Sequence, residues 1–335
     1  MLESRRTVLK GRRKLSPSAG DISVLRKGAE NLKLLRAHLE GRRSPARSAS
    51  PFSEFEEYET LLDEYGGSCL RDARVFEIGY GARPWRLIAL ISMGVDASGV
   101  DVEVPMLSGS WREVLAAFRH NGLERVLKSL ARRMLVDNRQ RSELARELGR
   151  RGHTLRIDRS RFLVSDVAAL DLPDRHIDLI YSEDVFEHIA RSSLETAVPK
   201  MARWLKPDGL ALIRPNIFTG ILGGHLTEWN YSAVLDPARK RKSAPWEHLR
   251  ARRFQPNTSL NELRRSEYRE LFARDFDILR EVVLLPDLGR ELLTGDVARD
   301  LATYPEEELF SNKVLFVLRP RKRAVGRVTR EVEHA

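Results

Sequence analysis

Between residues 74 and 318, short apolar runs alternate with segments of helical periodicity, and no other feature of the sequence constrains the fold as strongly. Such alternation is typical of βαβ units, in which helices cover a mainly parallel sheet. We therefore predict an α/β fold. The apolar runs predict five strands and a final pair, at 74–78, 97–100, 161–164, 177–181, 209–213, 276–285 and 313–318.

The same reading divides the chain into three parts. Residues 1–50 form a basic N-terminal extension with one amphipathic helix, 51–320 form the core domain, and 321–335 form a basic tail. Two insertions interrupt the alternation, a basic helical stretch at 104–158 and a polar, aromatic stretch at 217–270. Both follow strand ends, where open α/β sheets place their ligands, so we predict that both are substrate lids.

The net charge of +10 belongs to the two ends of the chain. Residues 1–50 carry +9 and residues 319–335 carry +4, which leaves −3 for everything between them. The basic ends could contact nucleic acid, anionic lipid or an acidic partner, but we favour the interpretation that they are solvated tails.

Cys69 is the single cysteine, so an intrachain disulfide or a cysteine-based zinc cluster is excluded. No run approaches the roughly 18 apolar residues of a membrane-spanning helix, and the first residues lack the apolar segment of a signal peptide. We expect a cytoplasmic protein.

A glycine turn after the first strand indicates a nucleoside site. Gly79 and Gly81 end that strand and precede a helix, and Asp101 follows at the end of the second strand, where a carboxylate can accept hydrogen bonds from ribose hydroxyls. A dinucleotide-binding turn usually has a third glycine three residues after Gly81, and Pro84 stands there instead. The turn therefore disfavours a nicotinamide or flavin dinucleotide and favours a nucleoside without pyrophosphate.

Residues 70–216 resemble class I S-adenosylmethionine-dependent methyltransferases. Their V-x-E-x-G-x-G segment is matched by Glu77, Gly79 and Gly81, although Arg83 stands where many members have another glycine. The resemblance implies S-adenosyl-L-methionine as cofactor. It also implies a three-layer α/β/α sandwich with a mostly parallel seven-stranded sheet and an antiparallel last strand, to which this chain adds helical insertions and an N-terminal helix.

Further cofactor residues follow from the same resemblance. Asp101 matches the ribose-binding acid, and Val102 or Glu103 would flank the adenine. Asp166, with the backbone of Val167 beside it, matches the aspartate that accepts from the adenine amino group. Ser182 begins the turn after the fourth strand, and the segment 204–209 resembles the turn before the fifth strand, with Asp208 in place of a glycine.

Two histidines are candidates for the chemistry. A hydroxyl acceptor benefits from a general base, and imidazole is the usual one near neutral pH. His225 lies in a mixed aromatic and polar stretch after the fifth strand and is our first candidate for base or substrate contact, with His188 second. The pairs 183–184 and 187–188 could hold magnesium, but we favour the interpretation that Glu183 and Asp184 cap the following helix, and we predict no metal site.

The acceptor is less constrained than the cofactor. The chain lacks the Asn/Asp-Pro-Pro-Tyr motif of DNA amino-methyltransferases, and Cys69 precedes the first strand, on the wrong side for a cytosine-C5 nucleophile. We predict a small-molecule or glycan acceptor, methylated at a hydroxyl oxygen. The alternatives are an RNA or protein methyltransferase, a non-catalytic cofactor-binding module docked by its basic ends, and a dinucleotide oxidoreductase.

Overall fold

The structure is a computed structural model, and it describes residues 51–105, 107, 113–115, 118, 138–236, 240–251 and 259–322. The predicted N-terminal extension 1–50 with its helix and the tail from 323 onward lie outside the described residues, as does most of 106–137 in the first predicted insertion. The predictions for those segments stay predictions.

Seven strands form a sheet at the centre of the described part. They are β1 Arg74–Ile78, β2 Asp96–Asp101, β3 Phe162–Val164, β4 Ile177–Glu183, β5 Leu205–Arg214, β6 Phe276–Val283 and β7 Val314–Pro320. Their order in the sheet is β3-β2-β1-β4-β5-β7-β6. The first five strands in this order are parallel to one another, whereas β7 runs antiparallel to both β5 and β6. The predicted mostly parallel sheet with an antiparallel last strand is confirmed.

Helices cover both faces of this sheet. In the described ranges they are α1 Pro51–Tyr65, α2 Trp85–Ser92, α3 Asn138–Arg150, α4 Arg191–Trp204, α5 Tyr231–Val234, α6 Glu247–Arg250, α7 Arg265–Ala273, α8 Gly295–Asp300 and α9 Glu306–Leu309. The helices α1, α2 and α3 contribute Tyr58, Leu87 and Leu148 to one apolar cluster, together with inward residues of β4 and β5. The helices α4 and α7 contribute Val198 and Phe272 to a second cluster against the other face. The predicted three layers are therefore present.

The second predicted insertion, 217–270, is built around an apolar cluster of its own. Ile221, Trp229 and Trp246 pack with Leu301 and Phe310 from the segment before β7. The indole of Trp246 is fully buried and donates from Nε1 to the carbonyl oxygen of Thr219 over 3.1 Å. This packing gives the polypeptide after β5 a defined position. None of the helices in the described ranges is long and apolar enough to cross a membrane.

Candidate active site

The glycine turn lies at the carboxyl end of β1. Gly79 has a φ of +83° and Gly81 a φ of +67°, backbone conformations that favour glycine. A Cβ on Gly79 would lie 2.3 Å from the Cγ atoms of Val185, whereas a Cβ on Gly81 would meet no atom within 4 Å. Gly79 is therefore required both by its backbone conformation and by the close approach of the loop that follows β4.

Asp101 holds this turn in place from the end of β2. Its Oδ2 accepts from the backbone N–H of Gly81 and its Oδ1 from the backbone N–H of Glu103, each over 2.8 Å. A carboxylate has about four lone-pair sites, so these two bonds are compatible with acceptance from ribose hydroxyls as well. Val102, the residue expected to flank the adenine, is 60% exposed and is available for an apolar contact.

Glu77 is buried at the end of β1, directly across from Tyr181 of β4. Burial raises the pKa of the Glu77 carboxyl to about 7, and the attraction of Arg86 opposes that shift. The Tyr181 hydroxyl also acts on this carboxyl and lowers its pKa, but no donor among the described residues lies within hydrogen-bond distance of Oε2. Glu77 is thus a buried acceptor with unused capacity beside the glycine turn.

The remaining predicted cofactor residues lie at the same edge of the sheet. The backbone N–H of Ser165 donates to the carbonyl oxygen of Asp101 over 3.0 Å, which joins the loop after β3 to the end of β2. Asp166 accepts from the backbone of its own turn through Oδ1, and the Val167 side chain is buried. The hydroxyl of Ser182 is buried in β4, where it donates to the carbonyl oxygen of Ile78 over 2.8 Å. Because this hydroxyl joins β4 to β1, a contact between Ser182 and the cofactor would be made by the Ser182 backbone.

The interpretation of Glu183 and Asp184 as helix caps is wrong. Glu183 is still part of β4, and it accepts from the Tyr58 hydroxyl over 3.0 Å and from Arg214 Nη1 over 2.9 Å. The N-cap of α4 is Ala190, with no side-chain cap, and Asp184 pairs instead with Lys313 Nζ at 2.7 Å. The strand extends two residues beyond the predicted end because Arg214 of β5 compensates the buried charge.

The two predicted histidines meet although they follow different strands. His188 lies after β4 and His225 after β5, and their ring centroids are 4.9 Å apart in an edge-to-face arrangement. His188 Nδ1 lies 3.0 Å from the carbonyl oxygen of Ser259. A carbonyl only accepts, so Nδ1 donates this bond, and in the neutral ring the lone pair lies on Nε2 of His188.

Glu187 lies beside this pair. Its Oε1 is 4.0 Å from Nε2 of His188 and 3.9 Å from Nε2 of His225, and it accepts from Asn216 Nδ2 over 2.6 Å. Burial, with help from the charge of Asp184, raises the pKa of Glu187 to about 7. Burial, with help from His188, lowers the pKa of His225 to about 4, so that ring is neutral at physiological pH.

Two residues outside the sequence motifs, Asn216 and Arg214, also position the side chains at this edge of the sheet, and the sequence analysis did not predict them. Asn216 also donates from Nδ2 to Asp184 Oδ1 over 2.9 Å and so bridges two carboxylates. Arg214 pairs with Glu57 of α1 at 2.7 Å as well as with Glu183. The sequence did contain a sign of these residues, because the polar Arg214 and Asn216 stand at the end of the apolar run of β5. Polar residues at the carboxyl end of a parallel strand lie at the ligand edge of the sheet.

Part of the chain matches a known family. Residues 121–213 match the family described as a methyltransferase domain. A sequence search of curated proteins gives no match.

Three solved structures are similar to this chain. The PH0226 protein from Pyrococcus horikoshii OT3 is 15% identical with a TM-score of 0.42, over 86% of this chain and 99% of that one. The 1,6-didemethyltoxoflavin-N1-methyltransferase from Burkholderia thailandensis is 14% identical with a TM-score of 0.40, over 92% and 95%. The geranyl diphosphate C-methyltransferase from Streptomyces coelicolor A3(2) is 14% identical with a TM-score of 0.40, over 83% and 86%.

The family match covers residues 121–213, and the sheet and the glycine turn agree with the resemblance of residues 70–216 to class I S-adenosylmethionine-dependent methyltransferases. The match to a methyltransferase domain indicates an enzyme that transfers a methyl group, with S-adenosyl-L-methionine as its cofactor.

Proposed function

We propose that the enzyme methylates a hydroxyl oxygen of a small-molecule or glycan acceptor, and that the acceptor binds at His188 and His225. The observation that carries this proposal is the contact between Val185 and Gly79, because it places the loop that bears His188 against the glycine turn. His225 reaches the same place from the end of β5. Methyl transfer needs the acceptor atom in line with the methyl group, so the neighbour of the cofactor turn is the place for the acceptor.

The residues at the other side of the turn fit the cofactor. Asp101 would accept from the ribose hydroxyls, Val102 and Asp166 would contact the adenine beside the backbone of Val167, and the turn at Gly79 and Gly81 would hold the methionine half. Glu77 contributes a buried acceptor without a hydrogen bond on Oε2. When bound, S-adenosyl-L-methionine supplies a methyl group already activated by the sulfonium.

The histidine pair would position the acceptor rather than deprotonate it before transfer. The neutral ring of His225 accepts a hydrogen bond from a hydroxyl, which orients the oxygen lone pair toward the methyl group. As the new C–O bond forms and the C–S bond breaks, the hydroxyl becomes strongly acidic and its proton passes to this ring. With a pKa of about 4, His225 is a weak base near neutral pH, so its main contribution is orientation. We also propose that residues 51–320 form the catalytic domain and that the insertions at 104–158 and 217–270 close over the acceptor.

The test uses cofactor labelled in the transferable methyl group. The full chain is incubated with fractionated cell extract, and we expect label in a low-molecular-weight product. His188→Ala and His225→Ala should each lower the turnover roughly 10- to 100-fold, with unchanged affinity for S-adenosylhomocysteine by calorimetry. His153→Ala, a histidine outside the site, is the control and should turn over normally.

Other results would favour the alternatives. Label in a ribonuclease-sensitive or protein fraction would replace the small-molecule acceptor with RNA or protein. Cofactor binding without labelling of any fraction, together with salt-dependent binding to nucleic acid, would favour a non-catalytic module. Full turnover in both histidine variants would remove the proposed acceptor site.

A further inference from the structure

Glu187, His188 and His225 bring two imidazoles and one carboxylate together at the ends of β4 and β5. One ligand atom from each residue lies within 4.8 Å of the other two. We propose that these three side chains form a binding site for a divalent transition-metal cation.

The spacing of the ligand atoms fits such an ion. The carboxylate oxygen is 4.0 Å from Nε2 of His188 and 3.9 Å from Nε2 of His225. A point central to three atoms at this spacing lies roughly 2.5 Å from each of them, whereas metal bonds to imidazole nitrogen or carboxylate oxygen are about 2.0–2.2 Å long. Rotamer adjustments of a few tenths of an ångström would close that difference.

The hydrogen bonds around the three residues have the pattern found behind metal ligands. Histidine ligands usually donate their second ring N–H to a carbonyl or carboxylate, which fixes the tautomer. His188 does so through Nδ1 to Ser259, and its Nε2 is thereby left as the donor atom for a metal. Asn216 Nδ2 donates to Oε1 of Glu187 over 2.6 Å and so fixes the position of this carboxylate.

The local charge balance leaves room for a cation. Glu183 is compensated by Arg214, and Asp184 by Lys313. Glu187 is only 3% exposed, and among the described residues it has no ion pair with a lysine or arginine. The backbone N–H groups of Glu187 and Asn216 act on this carboxyl and lower its pKa, but they carry no full charge, and no donor among the described residues lies within hydrogen-bond distance of Oε2. A buried carboxylate without a compensating charge is costly, and a bound cation would remove that cost.

The donor set selects the class of ion. Two imidazole nitrogens and one carboxylate oxygen suit Zn²⁺, Mn²⁺, Co²⁺ or Fe²⁺ better than Mg²⁺ or Ca²⁺, which prefer oxygen ligands. Three protein ligands leave coordination positions open for a substrate oxygen. If the proposed function also holds, the acceptor hydroxyl would bind the cation at one of these positions in place of its hydrogen bond to His225. The cation site itself does not depend on that function.

The test measures Co²⁺ binding to the full-length protein without an affinity tag, after treatment with EDTA. Calorimetry and visible absorption should give one high-affinity site per chain. His188→Ala, His225→Ala and the isosteric Glu187→Gln should each weaken binding at least tenfold, and Asn216→Ala should weaken it about 10- to 100-fold. His153→Ala should bind Co²⁺ as the unaltered protein does.

Binding of S-adenosylhomocysteine by each variant shows that the variant is folded. Absence of a stoichiometric site in the unaltered protein, or unchanged Co²⁺ affinity in the His188→Ala/His225→Ala double variant, would overturn the metal site. Stoichiometric Co²⁺ binding that the double variant loses supports the site even if no methyl acceptor is found. Methyl transfer that persists in EDTA without any Co²⁺ site would leave the proposed function intact and remove this inference alone.

Discussion

The backbone N–H of Gly81 donates to Oδ2 of Asp101 over 2.8 Å, so the turn after β1 is held by the carboxylate that ends β2. This single bond couples the two halves of the proposed cofactor site. The side chain that would hold the ribose also fixes the backbone that would hold the methionine part. Loss of Asp101 should therefore affect both contacts together.

Asp101→Ala is expected to weaken S-adenosylhomocysteine binding by at least tenfold, because hydrogen bonds to a charged group are each worth about 1.5–3 kcal/mol. The affinity of Asp101→Asn should lie between those of the unaltered protein and Asp101→Ala, since the amide oxygen can still accept from one backbone N–H. Calorimetry on both variants measures the effect. Asp96→Asn is the matched control, because Asp96 begins the same strand at the opposite edge and pairs there with Arg74 and Arg161. Equal affinities for Asp101→Ala and Asp96→Asn would refute the coupling.

Gly79→Ala should abolish cofactor binding and destabilise the fold. The new Cβ would meet Val185 at 2.3 Å, in addition to the strain of a φ of +83°. Gly94→Ala provides the comparison, because Gly94 has a φ of +86° and a Cβ on it would meet no atom within 4 Å. Gly94→Ala should cost only about 1–2 kcal/mol of unfolding free energy and keep its cofactor affinity. Denaturant titration measures the unfolding free energy of the two variants, and calorimetry measures their cofactor affinity. If both variants lose similar amounts of stability and affinity, the effect comes from backbone strain and not from steric overlap with Val185.

The sequence alone predicted β1 correctly at both ends, because an apolar run bounded by charged residues and a glycine turn leaves little choice of strand limits. It ended β4 at Tyr181, two residues early, since nothing in a local window shows that Arg214 of β5 compensates Glu183. For the same reason the helix-cap interpretation failed. Charge pairing between neighbouring strands is a long-range property, and periodicity reports only local burial.

The candidate site was also predicted only in part. Residues near the glycine turn follow a motif of fixed spacing, so they could be predicted one by one. His188 and His225 were each chosen for their chemistry, but their meeting at 4.9 Å depends on β4 and β5 being adjacent and on the packing that positions the chain after β5. Tyr58 was not predicted at all, because its contact with Glu183 joins α1 to β4 across 125 residues of sequence.

Arg214→Met should destabilise the fold by up to about 3–5 kcal/mol, since it removes the nearer cation from buried Glu183 and leaves only Lys313, whose Nζ is 3.7 Å from Oε2. The Arg214 side chain is 5% exposed and that of Glu183 is 3% exposed. In the Arg214→Met/Glu183→Gln double variant the buried charge is gone, and much of the stability should return. Urea unfolding of the single and double variants measures this coupling.

A surface pair provides the control for that experiment. Arg299 and Asp296 are each 77% exposed, so Arg299→Met should leave the unfolding midpoint unchanged. If the double variant is no more stable than Arg214→Met, the loss comes from the packing of the arginine stem rather than from the uncompensated carboxylate.

The stability of the fold should fall between pH 6.5 and pH 4 through His248. This imidazole is 2% exposed and its Nε2 lies 2.9 Å from the carbonyl oxygen of Phe218; burial lowers its pKa to about 4. The unfolded chain takes up a proton near pH 6.5 and the folded chain only near pH 4, so acid favours unfolding across this interval. The contribution of His248 to the unfolding free energy is fully present above pH 6.5 and should be lower by about 2 kcal/mol at pH 5.

The test replaces His248 with glutamine, which keeps an N–H donor for Phe218. In urea titrations, His248→Gln should show a shallower fall in unfolding free energy from pH 7.5 to pH 5, whereas His153→Gln should keep the original slope. Other groups that titrate in this interval, His225 among them, act alike in all three proteins, so the difference in slope isolates His248. Parallel curves for the unaltered protein and His248→Gln would contradict the prediction, because they would show that His248 takes up its proton in the folded chain as readily as in the unfolded chain.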